Sequence, residues 1–400
     1  MIKQIEEKYF MRTYKRVNLI VKKAKGQFLW DESGKKYLDF LSGISVCNVG
    51  HCNDSVLKVA KDQLDSFVHA SNLYYMPSQI KLGEELTKRI FPDGRVFLSN
   101  SGAEANECAI KLARKWGFLN SSRNGNRYEI ICFRNSFHGR TLATLSATGQ
   151  EKFHKFFRPL QEKFVFAEIN EIGSVKKLIN EKTVAVMIEP IQGEGGLIPS
   201  EKTFLKELRV LCDENNLLLI FDEIQCGMGR TGKFCAFENY DVKPDIITLA
   251  KSLANGLPLG AVVAVKKCAE VFFYGDHGST FGGNPVSCAA ALEVLNILNS
   301  KFLNDSLEVA KYLSLKLEDL KKKYSIIKDV RGLGLMLGID LTINGSSIVN
   351  YCLDKGLIIN CIHDTVIRLL PPLIITKNDV DFATRILDEA LNCSLVTKQV

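Results

Sequence analysis

The middle of the chain reads LLLIFD at 217–222, five apolar residues that lead into an acid. A second run, IITLAK at 246–251, leads into a lysine. Short apolar runs of this kind predict strands that are buried in a parallel sheet. Ligands bind at the carboxyl ends of such strands, which is where Asp222 and Lys251 stand. The two runs therefore predict a buried sheet that places an acid and an amine at one edge.

Further strand-like runs surround these two and alternate with helical patterns. The predicted strands are 95–98, 129–133, 183–188, 217–221, 246–250 and 261–265, and the helices between them include 104–117 and 201–215. This alternation predicts an α/β protein with a largely parallel sheet and helices on both faces.

After residue 285 the pattern changes to longer amphipathic helices and shorter strands. The helices are expected at 286–299, at 304–323 and from 377 onward, and the strands at 334–340, 357–359 and 366–370. We therefore expect a large ligand-binding domain at 51–285 and a smaller α+β domain at 286–400, with residues 1–50 packing against the smaller domain.

Composition excludes several classes of protein. The net charge of +7 arises from 52 basic and 45 acidic residues spread along 400 positions, without the block of like charges typical of a nucleic-acid-binding segment. The 12 cysteines form no C-x-x-C pair, which predicts reduced, mostly buried thiols and no metal site. The amino terminus lacks the apolar core of a signal peptide, and no apolar run has membrane-spanning length. We expect a cytoplasmic protein without a membrane or nucleic-acid partner.

The acid and the amine together suit one cofactor, pyridoxal phosphate. A lysine amine condenses with an aldehyde, and a carboxylate that faces the pyridine nitrogen keeps the ring protonated, so that the ring accepts electrons from a substrate carbanion. The chemistry needs both Lys251 and Asp222.

A nucleotide hydrolase is the main alternative from another enzyme class. Residues 227–233 read GMGRTGK, which matches the first seven positions of a phosphate-binding loop. Phe234 stands where a hydroxyl should hold Mg²⁺, and no long apolar helix pattern follows. These two departures argue against the hydrolase.

Two further motifs lie just after predicted strands. Residues 98–106 read LSNSGAEAN, a helix start that is either a phosphate seat or a plain N-cap. Residues 137–141 read FHGRT. Phe137 can stack on a ring and Arg140 can bind a carboxylate. The alternative is that Phe137 is a core aromatic residue and Arg140 a surface cation. His138 is interpreted as a hydrogen-bonded structural histidine. Glycine-rich loops follow at 189–196 and 275–285.

Together these motifs resemble the subgroup of pyridoxal phosphate aminotransferases that contains acetylornithine, ornithine and 4-aminobutyrate aminotransferases. The resemblance runs from the segments at 29–31 and 37–40 to RLLPPL at 368–373. Within the subgroup, SNLYY at 71–75, SGAEANE at 101–107 and FHGRT at 137–141 are most similar to acetylornithine aminotransferases. The resemblance implies fold type I, with a mostly parallel seven-stranded sheet in the large domain.

The resemblance also implies how the cofactor is held. Lys251 would bind the cofactor covalently, Asp222 would pair with the pyridine nitrogen, and Gln225 would lie on the 3-hydroxyl side. The backbone of Gly102 and Ala103 would bind the phosphate, with Phe137 stacked on the ring. In the family a threonine at the position of Thr280 reaches the phosphate in the other subunit, which implies a homodimer with composite active sites.

Four residues are implied in substrate binding. Arg140 would hold the remote carboxylate of the donor, with Ser279 close by. Arg368 would bind the α-carboxylate of 2-oxoglutarate, and Glu194 would neutralise Arg368 when a donor without a carboxylate at that place is bound.

The expected reaction is transfer of the δ-amino group of N2-acetylornithine to 2-oxoglutarate, which gives N-acetylglutamate 5-semialdehyde and glutamate in arginine biosynthesis. Ornithine, succinyldiaminopimelate and 4-aminobutyrate are alternative donors for the same chemistry. A cofactor-free scaffold on the same fold is the non-enzymatic alternative, and the presence of Lys251, Asp222 and Arg140 argues against it.

Overall fold

The structure is a computed structural model that describes residues 2–121 and 126–396, with the side chain of Val396 left out. Its strands, in chain order, are β1 (Val21–Lys25), β2 (Phe28–Asp31), β3 (Lys36–Asp39), β4 (Arg95–Ser99), β5 (Glu129–Phe133), β6 (Phe164–Ala167), β7 (Thr183–Ile188), β8 (Ile191–Gln192), β9 (Ile198–Pro199), β10 (Leu218–Asp222), β11 (Ile246–Leu249), β12 (Gly260–Ala264), β13 (Ile327–Leu333), β14 (Met336–Leu341), β15 (Leu357–Ile358), β16 (Asn360–Ile362) and β17 (Val366–Leu369).

The helices are α1 (Ile2–Tyr9), the single turn α2 (Ser42–Ser45), α3 (Asp54–Ser66), α4 (Pro77–Ile90), α5 (Gly102–Leu119), α6 (Leu142–Ala147), α7 (Glu151–His154), α8 (Ile172–Leu178), α9 (Lys202–Glu214), α10 (Lys266–Ala269), α11 (Pro285–Ile297), α12 (Ser300–Lys323), α13 (Ser346–Asp354) and α14 (Lys377–Val396). Two short 3₁₀ helices span Ala236–Asn239 and Lys251–Ala254.

A seven-stranded sheet in the order β4-β12-β11-β10-β7-β5-β6 forms the centre of the molecule. Adjacent strands of this sheet run parallel, except that β12 is antiparallel to both of its neighbours, β4 and β11. Every residue of β5, β7, β10, β11 and β12 is buried, as continuous apolar strands covered on both faces should be. The predicted α/β fold with a mostly parallel seven-stranded sheet is confirmed.

The sequence patterns missed some elements and misplaced some boundaries. The edge strand β6 has only four residues, three of them half-buried, and β1 reads VKKAK with four exposed residues, so neither carries a clear apolar signal. Helix α12 starts at Ser300 and not at 304, because the Asn299 side chain accepts a hydrogen bond from the N–H of Phe302 at 3.0 Å and caps the helix there. Strand β11 ends at Leu249, and Lys251 already begins a 3₁₀ helix.

Two smaller sheets involve the ends of the chain. The sheet β1-β2-β3-β15 joins the amino-terminal strands to β15 through a parallel β3–β15 pair, and β13-β14-β17-β16 is antiparallel. Helix α14 packs against α12 and α13. The division into residues 1–50, 51–285 and 286–400 stays a prediction.

The fold brings the sequence motifs to one edge of the central sheet. Asp222 is the last residue of β10, and Lys251 follows β11 after one residue. Helix α5 follows β4, and the FHGRT segment follows β5. All four strands run in the same direction, so their carboxyl ends meet there.

Arg230 is a fully buried arginine that crosslinks distant parts of the chain. Its guanidinium donates hydrogen bonds to Ser45 Oγ at 2.9 Å, to Leu335 O at 3.0 Å, to Pro371 O and to Asn48 Oδ1. Burial lowers the pKa of Arg230 to about 9. The GMGRTGK segment is therefore a structural turn, with Arg230 binding backbone and side-chain oxygens.

Among the described residues, no disulfide joins any pair of cysteines, and eight of the 12 cysteines are buried. Within the same residues no group of His, Cys, Asp and Glu is placed to hold a metal ion. No single described helix is long and apolar enough to cross a membrane. The pair α11 and α12 meets the length and composition only when taken together across a bend of 71°.

Replacing Arg230 by methionine should lower the free energy of unfolding by about 3 kcal/mol, because the four buried oxygen acceptors lose their donor. Urea unfolding followed by circular dichroism measures the change. Arg385→Met on α14 is the matched control, since the exposed Arg385 pairs with Glu389 at the surface and lies over the Phe382 ring, and its loss should cost no more than about 0.5 kcal/mol. Equal stability of the two variants would contradict the structural role of Arg230.

Candidate active site

A cavity of about 430 Å³ opens at this edge of the sheet. Seven of the predicted site residues line it, namely Gly102, Ala103, Phe137, Arg140, Asp222, Gln225 and Lys251. Val46 from the amino-terminal segment and Pro258 also line the cavity, and neither was singled out from the sequence. Val46 and Pro258 belong to ordinary-looking segments, so only the folded chain reveals their position.

Asp222 is held by hydrogen-bond donors from three parts of the chain. Its Oδ2 accepts from Asn106 Nδ2 at 2.8 Å and from His138 Nδ1 at 2.8 Å, and its Oδ1 accepts from the N–H of Ile224 at 3.1 Å. Burial by itself would lower the pKa of His138, but the hydrogen bond and the charge of Asp222 outweigh burial and raise it. His138 is thus a hydrogen-bonded buried histidine, as predicted, whereas the role of Asn106 was missed.

Lys251 enters the cavity from a tight turn. Its backbone has φ +47°, a left-handed conformation that is uncommon outside glycine, asparagine and aspartate. Burial lowers the pKa of the Lys251 amine, although the charge of Glu194 opposes the shift. A lowered pKa increases the unprotonated fraction of the amine, and the unprotonated amine is the nucleophile.

The start of α5 forms one wall of the cavity. Ser101 caps the helix, because its Oγ accepts from the N–H of Glu104 at 3.2 Å and its carbonyl oxygen accepts from the N–H of Ala105 at 3.0 Å. Gly102 and Ala103 come before the two residues whose N–H groups make these bonds. Their own N–H groups are available to an anion at the positive end of the helix dipole. A Cβ on Gly102 would lie 2.8 Å from Ile224 Cδ1, so only glycine allows this close packing.

Arg140 and Phe137 line another side of the cavity, and Phe153 contacts both of them without lining it. The guanidinium carbon of Arg140 lies 5.1 Å from the centre of the Phe137 ring and 3.9 Å from that of Phe153. Phe153 belongs to the short helix α7 and was not singled out from the sequence, because QEKFH contains no motif. Its proximity to Arg140 arises only from the fold.

Glu189 connects two loops at the cavity wall. Its Oε1 accepts from the N–H of Phe137 at 2.8 Å, and its Oε2 accepts from the N–H of Gly193 at 3.2 Å. Burial raises the pKa of Glu189 to about 7. Glu189 lies in the quoted glycine-rich segment, but the sequence does not reveal that it binds the Phe137 loop.

Arg368 and Glu194 form an ion pair beside the cavity. Arg368 in β17 is 1% exposed and also donates from Nε to Asn360 Oδ1 at 3.2 Å. Gln225 donates from Nε2 to Glu194 Oε1 at 3.4 Å. Burial would raise the pKa of Glu194, but the charge of Arg368 outweighs burial and lowers it. The two side chains thus meet as the resemblance implies, and their roles toward substrate stay predictions.

Ser279 and Thr280 lie outside this cavity. Ser279 Oγ accepts hydrogen bonds from Asn100 Nδ2 at 3.1 Å and from the N–H of Gly282 at 2.9 Å, and the residue lines a separate cavity of about 710 Å³. Thr280 is exposed. A single chain therefore does not bring these two residues together with Lys251 and Asp222.

The polar groups that line the cavity fit pyridoxal phosphate. Gln225 Oε1 faces no hydrogen-bond partner among the described residues, although it is buried at the cavity wall. The cavity thus combines an amine of lowered pKa, a fixed carboxylate, an unsatisfied amide and available N–H groups at a helix start. These groups match an aldehyde, a ring nitrogen, a hydroxyl and a phosphate.

Comparisons with known proteins agree with this geometry. The family model "Aminotransferase class-III" matches residues 9–391. The acetylornithine aminotransferase of Methanocaldococcus jannaschii is 50% identical over 96% of this chain and 96% of its own length. That of Caldanaerobacter subterraneus is 46% identical, with 97% and 98% covered. The crystal structure of ornithine aminotransferase from Toxoplasma gondii ME49 matches with a TM-score of 0.95 at 31% identity, covering 100% of this chain and 96% of that one.

Replacing His138 by phenylalanine should lower the free energy of unfolding by about 1–3 kcal/mol at pH 6, and by less at pH 9. The pKa of His138 is raised in the folded protein, so the stabilisation from its charge is complete below its unfolded pKa of about 6.5 and is lost as the pH rises through the folded value. Urea unfolding of both proteins at the two pH values measures this difference.

Asn106→Leu removes the other donor to the same Asp222 oxygen and serves as the control, because an amide does not titrate. Its cost should vary much less with pH. A cost of His138→Phe that is equal at pH 6 and pH 9 would contradict the charged interaction.

Proposed function

The chain belongs to the class-III aminotransferases, and on this premise we propose that it transfers the δ-amino group of N2-acetylornithine to 2-oxoglutarate in arginine biosynthesis. The products are N-acetylglutamate 5-semialdehyde and glutamate. The observation that carries transamination is the placement of Lys251, Asp222 and the start of α5 around one cavity. The choice of amino donor is supported by two acetylornithine aminotransferases that are 50% and 46% identical to this chain over nearly its whole length.

The cofactor is pyridoxal phosphate, which supplies an aldehyde that condenses with amines and a ring that withdraws electrons. The N–H groups of Gly102 and Ala103 would bind its phosphate, and Gln225 would face its hydroxyl. Phe137 would pack against the ring. Asp222 would accept the N–H of the ring nitrogen and so favour its protonated form.

Lys251 would hold the cofactor through its amine and would also move protons. When it is not bonded to the cofactor, the amine stands within the cavity as a base of lowered pKa. It would take a proton from the donor carbon that bears the amine and later return one. Burial of the amine keeps bulk water from competing for this proton.

Arg140 and the Glu194–Arg368 pair let one cavity accept two different substrates. Arg140 binds the remote carboxylate of the amino donor through the N–H groups of its planar guanidinium. Glu194 neutralises Arg368 while a donor without a carboxylate at that place is bound, since an unpaired buried arginine costs about 3–5 kcal/mol. The α-carboxylate of 2-oxoglutarate then replaces Glu194 as the partner of Arg368.

Ornithine is the second candidate donor. The match to the Toxoplasma ornithine aminotransferase, with a TM-score of 0.95, favours this alternative at the level of the fold. Succinyldiaminopimelate and 4-aminobutyrate suit the same chemistry. Arg140 binds a carboxylate in each case, so a comparison of donors is required.

A homodimer with composite active sites is part of the proposal. Thr280 is exposed and Ser279 lies outside the cavity, so both residues are available to a second copy of the chain. The large side chains of Tyr274 and Phe281 flank them and are exposed, which supports an interface at this loop. In the dimer, Thr280 of one chain would reach the phosphate bound by the other. A cytoplasmic location stays a prediction.

The purified protein loaded with pyridoxal phosphate should show the visible absorption band of a lysine-bound cofactor. N2-acetylornithine should bleach this band at a lower concentration than ornithine, succinyldiaminopimelate or 4-aminobutyrate. Lys251→Ala should lack the band and should not turn over. Bleaching at lowest concentration by another donor would replace acetylornithine as the substrate, and a protein that cannot be loaded would contradict the aminotransferase activity.

Subunit mixing should test the composite sites. Lys251→Ala and Thr280→Glu should each be inactive alone, the second because its carboxylate repels the phosphate. Co-expression of the two should restore about a quarter of the wild-type activity, because half of the dimers are mixed and each mixed dimer contains one intact site. Lys251→Ala with Asp222→Ala is the control and should stay inactive, since both residues serve the same site. Equal activity of the two mixtures would contradict the composite arrangement.

A further inference from the structure

The guanidinium of Arg140 packs over two aromatic rings. In the part of the chain that the structure describes, it has neither an ion pair nor a hydrogen bond, although Arg140 lies at the wall of the cavity. Its guanidinium carbon lies over the Phe153 ring, 3.9 Å from the ring centre, and over the Phe137 ring at 5.1 Å. Arg140 therefore keeps all its N–H donors available to a ligand.

Phe153 is itself fixed from two directions. It lies in α7, where its N–H donates to Gln150 O at 3.0 Å, and Gln150 Nε2 donates to Ser136 O at 3.1 Å in the loop before Phe137. The next residue, His154, is buried and its Nε2 donates to Leu145 O at 2.9 Å. The helix backbone that carries the ring is thus anchored on both sides of Phe153.

The Phe153 ring also touches the ring that faces the cofactor. Phe137 and Phe153 meet edge to face, with centroids 6.1 Å apart and planes at 81°. This geometry is favourable for aromatic pairs. Phe153 therefore contacts both the arginine and the aromatic ring, although it does not line the cavity.

Stacking and carboxylate binding use different parts of a guanidinium. A ring packs on the flat face of the cation, whereas the N–H donors lie in its plane and grip a carboxylate at the edge. Packing on Phe153 therefore restricts the plane of Arg140 without occupying a donor. A guanidinium held in advance loses less conformational entropy when it binds.

We propose that Phe153 is a positioning residue for substrate, which orients the guanidinium of Arg140 toward the carboxylate of the amino donor. This inference rests on the proposed function, because the ligand of Arg140 is taken to be the donor carboxylate. Phe153 does not touch the reacting atoms. Its effect should therefore fall on the binding of carboxylates and not on the proton transfers of Lys251.

The test compares Phe153→Leu with Phe156→Leu in the loaded enzyme. Phe156 lies three residues further along, is 81% exposed and lies under the Lys155 amine, so it controls for loss of an aromatic ring. Phe153→Leu should raise KM for N2-acetylornithine about 3- to 30-fold and change kcat less than about twofold. Phe153→Tyr should restore the wild-type KM, because it keeps the aromatic face. A KM of Phe153→Leu equal to that of Phe156→Leu would overturn the proposal.

A double-mutant cycle with Arg140→Ala separates positioning from a general structural effect. In the Arg140→Ala background, Phe153→Leu should add little, because the cation that the ring orients is gone. An equal cost in both backgrounds would overturn the inference.

Calorimetry of glutarate binding does not depend on turnover. It is measured on the four cofactor-loaded proteins of the cycle, which are the wild type, Phe153→Leu, Arg140→Ala and the double variant. If acetylornithine is not a substrate, turnover fails in the wild type while the coupling of Phe153 and Arg140 persists in glutarate affinity, which overturns the proposed donor alone. Loss of that coupling in an active enzyme overturns the role of Phe153 alone.

Discussion

The hydrogen bonds to Asp222 are the constraint on which the site depends. A buried carboxylate is costly unless it is hydrogen-bonded, and here the donors come from α5, from the segment after β5 and from the chain just beyond β10. Satisfying this one acid therefore holds in place helix α5, whose start is the proposed phosphate site, and the loop that carries Phe137 and Arg140. Lys251 stands at the end of the adjacent strand, so the same sheet sets its distance from the acid.

Two buried arginines show how the same side chain serves two purposes. Arg230 donates to oxygens from three separate segments and forms no ion pair with any described carboxylate, so its hydrogen bonds join these segments together. Arg368 is paired with Glu194, whose side chain is partly exposed, and in the proposed function a substrate carboxylate replaces Glu194. The partner of each arginine determines whether it acts as a crosslink or as an exchangeable binding group.

The substrate side of the cavity relies on weaker and more adjustable contacts. Arg140 packs on aromatic faces and keeps its in-plane donors available, which suits any donor with a remote carboxylate. Specificity among such donors must come from the rest of the molecule they carry. In the proposed dimer, the loop at 275–284 is where a second chain would complete this region.

The sequence by itself determined the buried strands, the position of Lys251 and Asp222 at one sheet edge, and the aminotransferase family. Apolar runs, turn residues and motif spacing are local signals, and they can be read from the sequence without knowledge of the fold. Only the tertiary structure decided that Asn106 and His138 share Asp222, that Glu189 binds the Phe137 loop, and that Phe153 lies under Arg140. These contacts join residues from separate elements, and their geometry depends on how the elements pack and not on any pattern within one element.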